Sequence, residues 1–116
     1  MNAVEIEEAI SELALQPFDA AEFPYFFLES FGNKATTIKR LKSGTSNKSD
    51  VGGVLQANHI HIAVCDEGDT THVLSTLKNS PATTKAKAKF VLATDGITFE
   101  AEDLQSGETV ACDYED

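Results

Sequence analysis

At 116 residues and 41% hydrophobic, the chain can build one modest core and lies far from the composition of a disordered segment. Its two cysteines, Cys65 and Cys112, are too few for a disulfide scaffold and too far apart for a CxxC metal or redox motif. A formal net charge of −10 argues against attraction to a polyanion, no apolar run nears the ~20 residues of a membrane span, and the acidic start MNAVEIEEAISEL is the reverse of a signal peptide, so a soluble cytoplasmic protein is expected.

Along the chain, Asn2 and Glu5 have capping-box spacing, and Ile6, Ile10 and Leu13 follow at helical intervals up to Pro17. A second helix is predicted from Pro24 to just before Gly32, with Phe23, Phe27 and Phe31 as a core stripe and Phe26 and Leu28 beside them. A short third helix suits 34–42, with Ile38 and Leu41 inward and a stop near Gly44. The period then changes. Strands are predicted over 51–55 and 60–64, the second with Ile60, Ile62 and Val64 on one face and His59, His61, Ala63 and Cys65 on the other. Val73, Leu74 and Leu77 suit a helix ending around Asn79–Pro81. Last, 89–94 and 97–102 read as a hairpin about Asp95-Gly96, both of which should take positive φ. The expected fold is α/β: N-terminal helices, then a small mixed sheet closing on a C-terminal β-hairpin, in a single domain over 1–116.

The charges are segregated. Lys34, Lys39, Arg40, Lys42 and Lys48 fall in the acid-free stretch 31–49, and Lys78, Lys85, Lys87 and Lys89 in the acid-free stretch 70–94. This points to a basic surface facing nucleic acid or a partner, beside the plainer reading of solvated faces. The helix pair around Gly32-Asn33 has the brevity of a helix–turn–helix, and Lys34, Thr36, Thr37, Lys39 and Arg40 could reach a duplex. Because sheet follows at once, phosphate clamping is expected there rather than base reading.

Candidate chemistry is thin. His59 and His61 on one strand face would stand about 7 Å apart, with Cys65 and Asp66 near, but no further ligand has clear spacing. The plain reading is two polar residues on a solvated strand face, and no metal is expected. As a nucleophile Cys65 is poorly placed, since Asp66 and Glu67 should raise its pKa. Glu100, Glu102 and Asp103 look like the polar face of the hairpin. Phosphate-cradling glycine motifs do not occur.

The segments FPYFFLESFGNKATTIKRLKSGTSNKSDVGGVLQ, HIHIAVCDEG and SPATTKAKAKFVLATDGITFEAEDLQSGETVAC resemble the N-terminal region of the class I SAM-dependent DNA methyltransferases of the MmeI-like restriction–modification type. The resemblance covers nearly the whole chain. It implies a bacterial parent enzyme that methylates adenine N6 with S-adenosylmethionine, in which this region precedes a helical linker, a methylase domain and a target-recognition domain. DNA, through the parent enzyme, and those further domains are the implied partners.

This chain carries neither an N-P-P-[FY] motif nor a glycine-rich SAM loop, so it needs no cofactor of its own and is expected to be a piece of a longer methyltransferase. In fused enzymes of the family the N-terminal domain is a PD-(D/E)xK nuclease, which implies a restriction-endonuclease-like fold. Matched to that motif, Gly53 stands at the Asp position, Ala63 at the Glu position and Cys65 at the Lys position, which leaves no group to bind Mg²⁺ or activate water. The expected role is therefore non-catalytic: DNA holding or interdomain packing, with Lys34, Lys39, Arg40, Lys42 and Lys48 as first candidates for backbone contacts and Lys85, Lys87 and Lys89 as second. The alternative is a standalone acidic interaction protein that imitates DNA or binds a protein partner.

Overall fold

The helices of the N-terminal half form because each repeats an apolar residue every three to four positions, and that stripe must be buried. In the computed structural model, which describes residues 3–13, 19, 22–30, 35–44, 47, 49 and 53–113, α1 spans Ala3–Leu13, α2 Phe23–Ser30 and α3 Ala35–Lys42. Ile6, Ala9 and Ile10 of α1, Phe23, Phe27 and Leu28 of α2, and Leu41 of α3 are buried in one cluster, with Leu13 and Ile38 packed against it. The described members of the expected α2 stripe, Phe23 and Phe27, are buried, whereas Phe26 beside them is 45% exposed. Gly44, at φ +84°, ends α3 with its N–H on the Leu41 carbonyl. The Asn2 capping position, Pro17, Phe31, Lys34 and Lys48 lie outside the described residues.

The strands are β1 (Val54–Gln56), β2 (Ile60–Val64), β3 (Phe90–Thr94), β4 (Thr98–Asp103) and β5 (Thr109–Asp113), in the order β1-β2-β3-β4-β5. Pairing is antiparallel except between β2 and β3, which run parallel with Ile60 opposite Phe90 and Val64 opposite Thr94. A parallel pair needs a crossover. Here it is α4 (Thr70–Asn79) followed by α5 (Pro81–Lys85). The three N-terminal helices cover the sheet face carrying Val54, Ile60, Ile62, Phe90, Leu92, Phe99 and Ala101, and α4 covers Ala63, Val91 and Ala93 with Leu74 and Leu77. With both faces covered, β2 and β3 read as nearly continuous apolar runs. The architecture is the α/β class with a mixed sheet that the sequence implies.

Four details differ from the expectation, each for a local reason. First, α5 is a separate helix: Ser80 is extended, its Oγ accepts the Thr83 N–H, and Pro81 occupies the first turn. Second, the expected β3–β4 hairpin is followed by a further antiparallel strand, β5, after a turn in which the Asp103 carboxylate accepts the Gln105 N–H and Gly107 takes φ +78°.

Third, the β3–β4 turn sits one residue later than expected. Asp95 N–H donates to the Thr98 carbonyl, and of the two residues between them, Gly96 and Ile97, only Gly96 has positive φ (+88°). Asp95 stays out of the left-handed region because its carboxylate caps that turn, accepting the Ile97 and Thr98 N–H groups at 2.9 and 2.7 Å, and also the Gly68 N–H at 2.9 Å. Fourth, β1 is three residues long, Val54–Gln56, and its outer edge is closed by a side chain. Asn47 donates to the Gly53 carbonyl at 3.0 Å and accepts the Leu55 N–H at 2.9 Å, taking the place of a neighbouring strand.

Candidate functional site

The polar residues of β2 were expected on a solvated face, and the structure overturns this for His61. Its side chain is fully buried on the α4–α5 side of the sheet. Nε2 lies 2.7 Å from Ser49 Oγ, and Nδ1 lies 2.7 Å from Thr83 Oγ1. The proton directions follow from the outer partners. Thr83 Oγ1 donates to the Leu77 carbonyl at 2.8 Å, so it must accept from His61, which puts the imidazole proton on Nδ1. Nε2 then accepts from Ser49 Oγ, which in turn accepts the Gly53 N–H at 3.1 Å. The chain of bonds ties the approach to β1, the centre of β2 and the start of α5 into one unit.

His59 points elsewhere, its Nδ1 2.5 Å from Gln56 Oε1. Burial first, and the nearby Lys89 charge after it, pull its pKa below the usual histidine value. The two imidazoles thus have separate protein partners, and among the described residues no three His, Cys, Asp or Glu side chains converge on a point where a metal could sit. Burial pushes the Cys65 thiol up; a hydrogen bond with Thr70 opposes that shift, while the charges of Asp95, Asp69 and Asp66 add to it. Its Sγ donates to the Thr94 carbonyl at 3.4 Å. This is a structural thiol, not an activated one.

Glu100 and Glu102 are also less solvated than expected, because their face of β4 meets α4. Glu100 accepts the Thr71 hydroxyl, and Glu102 pairs with Lys78 at 2.9 Å. The positions matched to the nuclease motif lie at the β1–β2 end of the sheet: Gly53 precedes β1, Ala63 is in β2 and Cys65 follows it. At Gly53 a Cβ would stand 2.2 Å from the Ile62 carbonyl oxygen, so the backbone there leaves no room for any side chain. Ala63 packs with Leu74, Leu77, Val91 and Ala93.

The basic candidates divide by layer and by pairing. Lys39, Arg40 and Lys42 lie on α3, in the three-helix layer. Lys42 is engaged there: its Nζ is 2.7 Å from Glu22 Oε2 and 5.1 Å from the centre of the Tyr25 ring. Lys39 and Arg40 are exposed and, among the described residues, belong to no ion pair. The same holds for Lys85, Lys87 and Lys89, on the opposite layer where α5 leads into β3. There the β1–β2 turn leans on the end of α5, with the Asn58 N–H on the Ala86 carbonyl at 2.8 Å and the Lys89 N–H on the His59 carbonyl at 2.8 Å. A cleft of about 590 Å³ lies between them, lined by Ala57, Asn58, Ala82, Lys85, Ala86 and Lys87. Spacing alone had marked these lysines as second candidates.

No helix among the described residues is long and apolar enough to cross a membrane. The family model described as MmeI, N-terminal domain, matches residues 1–116. No curated protein and no solved structure matches the chain.

Proposed function

Since the chain belongs to the family of MmeI N-terminal domains, a component of restriction–modification enzymes, we propose that it is a non-catalytic domain that helps hold DNA for an adenine-N6 methyltransferase. Its grip is on the phosphate backbone, through Lys39 and Arg40 on one layer and Lys85, Lys87 and Lys89 on the other. The observation that carries this reading is selective pairing. In a chain of net charge −10, these five cations are exposed with no carboxylate partner among the described residues, whereas Lys42 and Lys78 are neutralised. Surface lysines left unpaired amid an excess of acid are available to an external anion. S-Adenosylmethionine and the transfer chemistry belong, in this reading, to the methylase domain of the parent enzyme. The positions matched to the nuclease motif serve as structure: Gly53 for close backbone approach, Ala63 for packing against α4, and Cys65 as an inert thiol.

A salt titration of binding to a labelled duplex of arbitrary sequence tests this. Each phosphate contact contributes about 0.9 to the slope of log K against log salt, so engagement of all five cations corresponds to a slope near −4.5. An absence of binding at low salt refutes DNA holding and assigns the surface to protein contacts, including the acidic-mimic role.

A further inference from the structure

We propose that the cleft between the β1–β2 turn and the end of α5 seats the sugar–phosphate backbone of duplex DNA, with Lys85 and Lys87 as its cationic wall. The proposal rests on the DNA-holding reading and locates it. Three independent observations converge on the cleft. Its lining combines two lysines with the small side chains Ala57, Ala82 and Ala86, so a deoxyribose can lie against methyl groups while its phosphate meets ammonium. The Ala86 carbonyl, which would otherwise repel an anion there, already accepts the Asn58 N–H.

The third observation is conformational. Lys87 holds φ +57°, left-handed backbone that an L-residue with a long side chain rarely adopts. Elsewhere among the described residues this demand is met with glycine, at Gly44, Gly68, Gly96 and Gly107, and once with Asn58, a residue type that tolerates it. The turn after α5 is where glycine would be the ordinary choice. A lysine kept in a conformation that disfavours it, on the wall of a cleft and with no carboxylate partner among the described residues, fits a residue retained for its charge. The occupant follows from charge. A chain of −10 offers no general attraction to a polyanion, so binding needs local cationic seats, and a duplex backbone presents a phosphate to each of them.

The test compares Lys87→Gly, Lys87→Arg, the double variant Lys85→Ala/Lys87→Ala and, for the contacts proposed on α3, Lys39→Ala/Arg40→Ala, each by salt-titrated anisotropy with the labelled duplex and by thermal unfolding. The proposal expects Lys87→Gly to keep or raise Tm while weakening DNA binding several-fold and reducing the salt slope by about 0.9. Lys87→Arg should retain the slope, and the double variant should reduce it by about 1.8. If the wild type binds with steep salt dependence and the Lys87 and Lys85 variants match it, the cleft is overturned while DNA holding stands through α3. A marked fall in Tm for Lys87→Gly overturns the argument from backbone strain. If the wild-type chain does not bind, the DNA-holding reading itself fails, and the cleft proposal with it.

Discussion

Replacing His61 by Phe keeps a planar ring in the same buried slot and removes both of its hydrogen bonds, to Ser49 and Thr83. Each such bond contributes about 1 kcal/mol net, and turning the buried Thr83 hydroxyl and the half-buried Ser49 hydroxyl toward an apolar ring edge costs about 1 kcal/mol more. The expected loss is therefore about 3 kcal/mol, a large share of the roughly 5–15 kcal/mol that holds a domain of this kind together. In thermal terms this is a fall in Tm of about 10 °C. Urea unfolding followed by circular dichroism measures it directly, and Thr83→Val supplies the second arm of a double-mutant cycle. Because the His61–Thr83 contact is direct, the cycle should show a coupling of about 1 kcal/mol. Long-range nitrogen–proton NMR should place the imidazole proton on Nδ1, the only tautomer consistent with Thr83 donating to the Leu77 carbonyl. A loss below about 0.5 kcal/mol with no coupling would refute the network as a structural tie.

Acid should weaken the fold in two separate windows. His59 has a folded pKa below 6.5, so beneath pH 6.5 the unfolded chain takes up the proton more readily and stability declines; His59→Gln should flatten that part of the profile in urea titrations. At Asp95 burial opposes ionisation, but the hydrogen bonds from Thr98, Gly68 and Ile97 outweigh it and hold the carboxyl well below the usual range. Its contribution is present above pH 3.8 and is lost as pH falls below that value, and Asp95→Asn should abolish this step and lower stability at neutral pH. Rebuilding the nuclease motif as Gly53→Asp/Ala63→Glu/Cys65→Lys should give an unfolded chain by circular dichroism. The aspartate Cβ has no space beside Ile62, and the glutamate would be buried among Leu74, Leu77 and Val91. A folded triple variant that nicks plasmid with Mg²⁺ would contradict this. Asn47→Ala should expose the β1 edge, cost about 1–2 kcal/mol and speed hydrogen exchange at the Leu55 amide; unchanged exchange would count against the edge cap.

What the amino-acid sequence determined on its own is whatever depends on neighbours a few positions away. Apolar spacing placed α1 and α3, alternation placed β2 at Ile60–Val64, and glycine marked the stop of α3. The family resemblance was legible for the same reason, being carried along the chain. The Ser80-Pro81 start of α5 and the Asp103 to Gly107 turn before β5 are local signals too. Tertiary structure alone decided the rest. Periodicity says which residues share a face, not what covers it. His61 and Ala63 share a face of β2 as expected, yet whether that face meets water depended on α4 and α5 folding back over it. The same crossover drew Glu102 into a pair with Lys78, and the packing of α3 beside α2 drew Lys42 toward Glu22. Which lysines remain for an external anion is therefore set by contacts between residues distant in sequence, which no local pattern encodes.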